Sequence, residues 1–483
     1  MEATTSDPRR WRALALVCVA MFMTVLDVSI VNVALPSIGS DLHVADKSLQ
    51  WVVTAYAITF GGFLLLGGRS GDLLGRRRMF MIGMALFAAA SLVCGLSGAL
   101  GVLIASRAVQ GLGAAIISPA TLSIITTTFQ EGGERNKALG IWGAMGGSGA
   151  AAGVLFGGIL TKYLGWQWIF FVNVPVGAVV LALTRSVVRE SRVPQARRFD
   201  AAGAATVTAG LALLVYAISK AQDYGWSSGR TIGELVGAGA LLAAFLAVEL
   251  RTRDPLMPLR IFRTRTLAGA NTVALLLGAV IYSNFFLLTL YVQQVLGYSA
   301  LKTGLTFLAT AGTVIPVAGL SQALATRLGP KPVMTFGMAL IAGAMAWYAH
   351  IPVHGTYAGD LLPGYLMMGF GMAFAFIPVS IAALAGVEER EAGLASGLLN
   401  TSQQIGGAIG LAAVATVATT HSAALLAGLG RRPNHADVAA AATSGFDRAF
   451  WVLVVLAAIG AAAAAVLVRR TEVPQAEAAA ATN

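Results

Sequence analysis

Apolar residues in this chain occur in long runs that charged residues seldom interrupt. A helix of about 20 apolar residues, rising 1.5 Å per residue, crosses the ~30 Å hydrocarbon layer of a bilayer. Runs of that length predict fourteen membrane-spanning helices. Their approximate ranges are 12–35, 51–68, 79–97, 101–125, 138–161, 166–184, 201–219, 232–250, 267–291, 303–326, 332–350, 361–385, 394–420 and 447–468. Little chain remains for a soluble domain, so the pattern predicts an all-α integral membrane protein.

Composition supports this prediction. Of the 483 residues, 57% are hydrophobic and 11% are charged, against the roughly 25% charged residues of soluble domains. The first run has a basic start, Arg9-Arg10-Trp11-Arg12, but its apolar stretch is longer than that of a signal peptide and no small-residue cleavage site follows it, so we expect a retained helix. Cys18 and Cys94 lie inside predicted spans, which argues against disulfides and cysteine-bound metals. We expect no metal site and no cofactor.

The basic residues predict the orientation in the membrane. If the N-terminus is cytoplasmic, 24 of the 33 Lys and Arg residues fall in cytoplasmic segments. This positive-inside bias places both termini in the cytoplasm and the protein in the cytoplasmic membrane. Basic residues that face an anionic inner leaflet explain the net charge of +11, so no nucleic-acid partner is needed.

An internal repeat divides the chain. LGRRRMFMIGMAL begins at Leu74 and LGPKPVMTFGMAL begins at Leu328. Chance similarity of apolar segments is the alternative, but the offset, the topology and the number of spans agree with a parallel repeat of six helices, as in one large class of secondary transporters. The divisions are a first half at residues 1–198, a two-helix insert at 199–259, a second half at 260–475 and a disordered tail at 476–483.

Two charged residues lie deep in the predicted spans. Asp27 and Arg107 are at similar depth, whereas Glu234, Glu249 and Asp360 fall near span ends. An ionisable residue inside the membrane costs ~2.5–3.5 kcal/mol and normally faces the bundle interior. A structural ion pair is one interpretation. The other is proton coupling, because loss of a guanidinium partner favours a protonated carboxyl group and its return favours a carboxylate.

Glycines recur in the predicted fifth helix. Gly149, Gly153 and Gly157 are four residues apart and therefore share one face. Small residues at this spacing let helices pack closely. Plain packing is one interpretation, and a seam between two moving halves is the other.

The turn after the second span combines a basic cluster with an acid between glycines. The positive-inside rule alone explains Arg76 and Arg77 in a cytoplasmic turn, but it does not explain Asp72 between Gly71 and Gly75. A carboxylate in such a turn suits the positive N-terminal end of another helix. We expect Asp72 to contact the start of the thirteenth span.

Together, these segments resemble the major facilitator superfamily and its fourteen-span drug:proton antiporters. The resemblance rests on LDVSIVNVALP, GGRSGDLLGRRR, RAVQGLGAA, GSGAAAGVLFGG, WQWIFFVNVPVG, YVQQVLGYSALKTGL and SGLLNTSQQIGGAIG, which extend over nearly the whole chain. The chain departs from the family pattern at Val154, where Pro is usual, at Ser70 and Leu73 in the loop motif, and at Gln167, where Arg is common.

The resemblance implies a monomeric antiporter that exports small amphipathic or cationic compounds in exchange for protons. It assigns proton coupling to Asp27 and Arg107. It places Gly68, Asp72, Gly75, Arg76 and Arg77 in a cytoplasmic latch, and Gly149, Gly153, Gly157 and Gly158 in the antiporter helix. The expected polar lining of the substrate cavity is Asn32, Asn284, Tyr291, Asn400, Gln403 and Gln404. Helix–helix hydrogen bonding is the alternative role of these polar residues.

Other functions fit the sequence less well. An ATP-driven pump needs a phosphate-binding loop, and GYSALKTG lacks the Gly that precedes Lys in such loops. We expect no catalytic residues, because all five histidines fall at or beyond the outer span ends. A proton-coupled importer of a small solute is the main rival to an exporter, and a membrane sensor that does not transport is a more distant one.

Overall fold

The structure, a computed structural model, describes residues 9–44, 46–191, 200–252, 255–388 and 391–468. All regular elements within these ranges are helical, as the hydrophobic pattern predicts. The α-helices are α1 (Arg10–Leu42), α2 (Asp46–Leu74), α3 (Arg76–Leu96), α4 (Leu100–Thr128), α5 (Gly133–Tyr163), α6 (Trp168–Phe171), α7 (Asn173–Val187), α8 (Ala201–Tyr224), α9 (Gly229–Arg251), α10 (Arg265–Leu290), α11 (Ala300–Leu328), α12 (Pro330–Tyr348), α13 (Leu362–Leu384), α14 (Ala392–Ala427) and α15 (His435–Leu467). A 3-10 turn (Leu259–Arg263) precedes α10, and π-helical turns follow α10 (Tyr291–Val295) and precede α13 (Tyr357–Leu361).

The structure does not confirm the predicted number of spans. Twelve helical segments of the described chain are long and apolar enough to cross a bilayer, and α6 with α7 forms one of them. Helices α5 and α12 are 31 and 19 residues long but are not among the twelve. The count of fourteen therefore stays a prediction. Large apolar side chains such as Val236, Leu250 and Val466 are exposed on the outside of the bundle, where lipid would cover them.

Packing is repeated between the two groups of helices. In the first group α1 packs on α5, α2 on α4 and α3 on α4. In the second group α10 packs on α14, α11 on α13 and α12 on α13, which is the same order of neighbours. The two groups meet where α2 packs on α14 and α5 packs on α11. We call these groups the first and second halves. The predicted boundary at 198/199 and the tail at 476–483 lie outside the described residues.

The matched sequence segments form matched turns. Gly75 joins α2 to α3 with a φ of 106°, and Gly329 joins α11 to α12 with a φ of 83°. A positive φ strains residues that carry a Cβ, so glycine suits both one-residue turns. Helix α2 continues to Leu74, so Asp72 lies in its last turn and not in a loop as predicted. We call this side of the bundle the α2–α3 end.

The insert, α8 and α9, packs beside the junction of the two halves. Helix α8 contacts both α2 and α14. Beyond α8, Trp226 Nε1 donates to Thr416 Oγ1 of α14 at 2.8 Å. The insert is therefore attached to both halves.

Helix α15 begins twelve residues earlier than predicted, at His435 rather than 447. Asn434 and Asp437 form a capping box that starts the helix before its apolar segment. Hydrophobic periodicity does not detect this polar extension.

Candidate functional site

A buried ion pair joins α1 to α4. Arg107 Nη1 lies 2.6 Å from Asp27 Oδ2, and both side chains are buried. The structure thus brings together the two residues that the sequence placed at similar depth. Burying an ion costs several kcal/mol, so such a pair needs further polar contacts.

Three polar side chains provide those contacts. Gln110 Nε2 and Asn173 Nδ2 donate to Asp27 Oδ1 at 2.8 and 3.1 Å. Both amides also donate to Ser91 Oγ, and Arg107 Nη1 donates to Gln110 Oε1 at 2.7 Å. Sequence reasoning missed all three residues. Gln110 had a signal, because it lies three positions after Arg107 on the same face of α4.

Helix α2 covers the other side of the guanidinium. Arg107 Nε donates to the Val52 carbonyl oxygen at 3.1 Å, and the Tyr56 ring centroid is 4.2 Å from Arg107 Cζ. All of these contacts come from the first half. Because both oxygens of Asp27 accept hydrogen bonds, a proton on this carboxyl group would displace a donor and leave Arg107 without its counter-charge. Proton binding therefore requires this cluster to rearrange.

A second buried carboxylate connects the halves at the α2–α3 end. Asp72 Oδ1 and Oδ2 accept the backbone N–H groups of Gly393 and Leu394, each at 3.1 Å, in the first turn of α14. These groups lack partners within their own helix, and the positive end of the helix dipole adds to the attraction. Arg76 Nη2 also donates to Asp72 Oδ1 at 2.8 Å, and its Nη1 donates to Ser191 Oγ at 2.7 Å.

The glycines of the predicted latch have separate structural roles. A Cβ on Gly75 would lie 2.7 Å from Glu190 Oε1, which accepts the Arg77 backbone N–H at 3.1 Å and caps α3. A Cβ on Gly68 would collide with the carbonyl oxygen of Gly393. Gly68 therefore permits the close approach of α2 and α14, and Gly75 permits the turn beside Glu190.

The glycine face of α5 does not form the predicted seam between the halves. The distances from an added Cβ to the nearest α1 carbonyl oxygen are 3.1 Å at Gly149 (to Phe22), 2.6 Å at Gly153 (to Leu26) and 3.0 Å at Gly157 (to Ile30). These three glycines pack α5 on α1 inside the first half. Gly158 does face the second half, with its Cβ position 3.3 Å from Leu301 Cα on α11.

Two of the predicted cavity residues form hydrogen bonds between helices. Asn400 Oδ1 on α14 accepts from Ser118 Oγ on α4 at 2.8 Å, which is a direct bond between the halves. Gln404 Oε1 accepts from Tyr282 on α10 at 2.6 Å. Asn284 is buried and its Oδ1 has no hydrogen-bond partner in the described structure. Asn284 thus retains a free acceptor.

The other three cavity candidates have different surroundings. Tyr291 is fully buried at the start of a π-helical turn and donates to the Pro352 carbonyl oxygen at 2.6 Å, so this hydroxyl does not line a cavity. Asn32 is exposed and donates to Val28 of its own helix at 2.9 Å. The Nε2 of Gln403 is buried without a partner among the described residues.

Potential metal ligands are dispersed. Across the described ranges, no group of three His, Cys, Asp or Glu side chains is close enough to hold a metal ion. Cys18 and Cys94 are both buried and are not joined by a disulfide.

The Major Facilitator Superfamily model matches residues 17–411 of the chain. Among solved structures, the human organic anion transporter MFSD10 (TETRAN) superposes with a TM-score of 0.64, over 93% of this chain and 100% of that one. The two sequences are 17% identical, so this likeness shows the fold alone.

Several curated bacterial proteins are more similar in sequence. The puromycin resistance protein pur8 of Streptomyces alboniger is 40% identical, over 88% of this chain and 85% of its own length. The cephamycin export protein CmcT of Amycolatopsis lactamdurans is 40% identical, over 84% of each chain. The tetracenomycin C resistance and export protein of Streptomyces glaucescens is 32% identical, over 84% of this chain and 75% of its own.

Proposed function

The chain belongs to the major facilitator superfamily and is a multi-pass membrane transporter, and on that basis we propose that it is a proton-coupled antiporter that exports small amphipathic or cationic compounds. The named relatives include resistance and export proteins for puromycin, cephamycin and tetracenomycin C, so antibiotics are the proposed substrate class. Export occurs across the cytoplasmic membrane, and the transporter acts as a monomer.

The observation that carries the proton coupling is the buried pair of Asp27 and Arg107. When Asp27 takes a proton, its attraction for Arg107 falls and the guanidinium retains only neutral partners such as Gln110 and Val52. The pair then separates, and α1 and α4 move relative to each other. Release of the proton restores the pair. Protonation of one acid thus drives a change between two arrangements of the first half.

The orientation and span count follow the sequence expectation. We place both termini and the α2–α3 end in the cytoplasm, because the basic residues are concentrated there. Helices α5 and α12 complete a set of fourteen spans with the twelve apolar segments. In this arrangement the contact of Asp72 with α14 holds the cytoplasmic end closed, and its release opens that end toward the substrate.

The substrate pathway lies between the halves, near the bond of Ser118 with Asn400. Asn284 and Gln403 have buried polar atoms without partners, which makes them suitable contacts for a ligand. These side chains are uncharged, which favours neutral or monovalent substrates. The substrate supplies hydrogen bonds that the resting protein lacks.

The test is transport by purified protein in proteoliposomes with an imposed pH gradient. Labelled puromycin, a cephamycin and tetracenomycin C serve as probes. Wild-type protein should move at least one probe against its gradient, in the direction opposite to the protons. Asp27→Asn should abolish this movement while binding of the probe persists. Asp360→Asn changes an acid in the π-helical turn before α13 that accepts the Thr356 backbone N–H, and this variant should transport normally.

Two outcomes would overturn the proposal. Full gradient-driven transport by Asp27→Asn would reduce the ion pair to a structural role. Movement of probe and protons in the same direction would identify an importer.

A further inference from the structure

Two carboxylates meet where the insert joins the first half. Asp200 caps α8, and its Oδ1 accepts the Gly203 backbone N–H at 2.8 Å. Glu249 lies near the end of α9 and is 5% exposed, and its Oε2 accepts the Met257 backbone N–H at 2.9 Å. The second oxygen of each group, Asp200 Oδ2 and Glu249 Oε1, is buried and has no hydrogen-bond partner in the described part of the chain.

These two free oxygens point to the same place. A Cβ built on Gly203 would lie 2.5 Å from Asp200 Oδ2 and 2.8 Å from Glu249 Oε1. Both oxygens thus border one small volume beside the first turn of α8. Two ionised carboxylates so close together in a buried place repel each other, and a proton held between them would remove that repulsion.

A proton suits this place better than a metal ion does. Calcium and magnesium bind six or more oxygen ligands, counting waters, whereas a shared proton needs only two oxygens. Arg69 on α2 is a further charged group that acts on Glu249. Residues 255–258, of which Leu256 and Met257 donate backbone N–H groups to Glu249, read PLMP and carry no charge. The charged residues at 197, 198, 253 and 254 lie outside the described residues.

We propose that Asp200 and Glu249 bind one cytoplasmic proton between them, so that the insert has a proton site separate from Asp27. The protonated carboxyl group donates to the carboxylate and holds the ends of α8 and α9 together. Loss of the proton leaves two like charges that push these ends apart.

The connection to α14 gives this site a mechanical consequence. Glu249 holds Met257, and three residues later Arg260 Nη2 donates to Glu391 Oε1 at 2.8 Å. Glu391 directly precedes α14, where Asp72 binds the first N–H groups. A change at the carboxyl pair thus reaches the contact between the halves through three hydrogen bonds that are linked by the short backbone segments 257–260 and 391–393. This second step rests on the proposed function, whereas the proton site itself does not.

Infrared difference spectroscopy of the purified full-length protein in lipid nanodiscs tests the site. The wild type should show the C=O stretch of a protonated carboxyl group at neutral pH, and this band should disappear as the pH is raised. Glu249→Gln and Asp200→Asn should each remove the band. Glu234→Gln, at the opposite end of α9 and paired with Arg230, should leave it unchanged.

Three results would overturn the proposal. One is a wild type without a titrating carboxyl band, and another is a band that both substitutions leave intact. The third is a band that sodium or magnesium removes at constant pH, which would identify a metal ion as the occupant. If either variant fails to fold, Gly203→Ala in the wild-type background, which places a methyl group between the two oxygens, should shift the band. The measurement needs no substrate, so its failure and a failure of antiport are separate results.

Discussion

Replacing Asp72 with Asn should increase opening of the α2–α3 end about 30-fold. The contacts of Asp72 with Gly393 and Leu394 join the two halves, whereas its partner Arg76 belongs to the same half and stays beside it in both states. Only the contacts between the halves therefore shift the equilibrium. A charge at a helix N-terminus contributes up to about 2 kcal/mol when it is partly buried. At ~1.4 kcal/mol per factor of ten, its loss corresponds to about 30-fold.

Cysteine labelling measures this opening. Ser396→Cys introduces a thiol at a fully buried position of α14, two residues beyond the contact with Asp72. Everted vesicles present the cytoplasmic side to a membrane-impermeant thiol reagent. Asp72→Asn should raise the labelling rate about 30-fold, in line with the shift above. The native Cys18 and Cys94 are buried, and protein without Ser396→Cys gives the background rate.

Glu190→Gln is the matched control. Glu190 also accepts backbone N–H groups at the start of a helix on the same side of the bundle, but its contacts with Arg77 and Arg78 lie within the first half. The labelling rate of this variant should equal that of the wild type. An unchanged rate in Asp72→Asn, or an equal increase in Glu190→Gln, would refute the latch.

Two further predictions concern the first half. Arg107→Gln removes the counter-charge that restores the pair with Asp27 after proton release, so gradient-driven transport in proteoliposomes should be lost while binding of the probe persists; transport at the wild-type rate would contradict this. Gly153→Leu should lower the yield of folded protein in detergent, because it separates α5 from α1, whereas Gly158→Leu should fold but transport slowly. Gly312→Leu, in α11 with open space at its Cβ, is the control and should do neither.

The ion pair could be predicted from the sequence because charges are costly in hydrocarbon. Asp27 and Arg107 were the deep charged residues, and equal depth made them partners. The sequence did not reveal that Gln110, Ser91 and Asn173 complete the cluster. Neutral polar side chains are common in membrane helices, and only the packing of α3, α4 and α7 decides which of them reach the carboxylate.

The glycine face shows a different limit of sequence reasoning. Spacing by four established that Gly149, Gly153 and Gly157 share a face of α5, but a shared face does not identify the helix packed on it. That neighbour is α1, so these three glycines agree with plain packing, the other interpretation of the pattern, and not with a seam between the halves. Tyr291 was misplaced for a related reason, because the regular helix ends at Leu290 and the hydroxyl bonds a distant loop carbonyl.

The partners of Asp72 on α14 are backbone groups, and this has a genetic consequence. Nearly every amino acid supplies the same N–H at position 394, so side-chain replacement there does not remove the bond to Asp72. Position 393 is restricted by space, since a Cβ on Gly393 would lie 2.7 Å from Asp72 Oδ1. Deep mutational scanning would therefore find that Asp72 is sensitive to substitution on one half, but it would find no side chain of opposite charge on the other half that is its partner. Charge-swap suppressors, which identify salt bridges between side chains, have no counterpart at this contact.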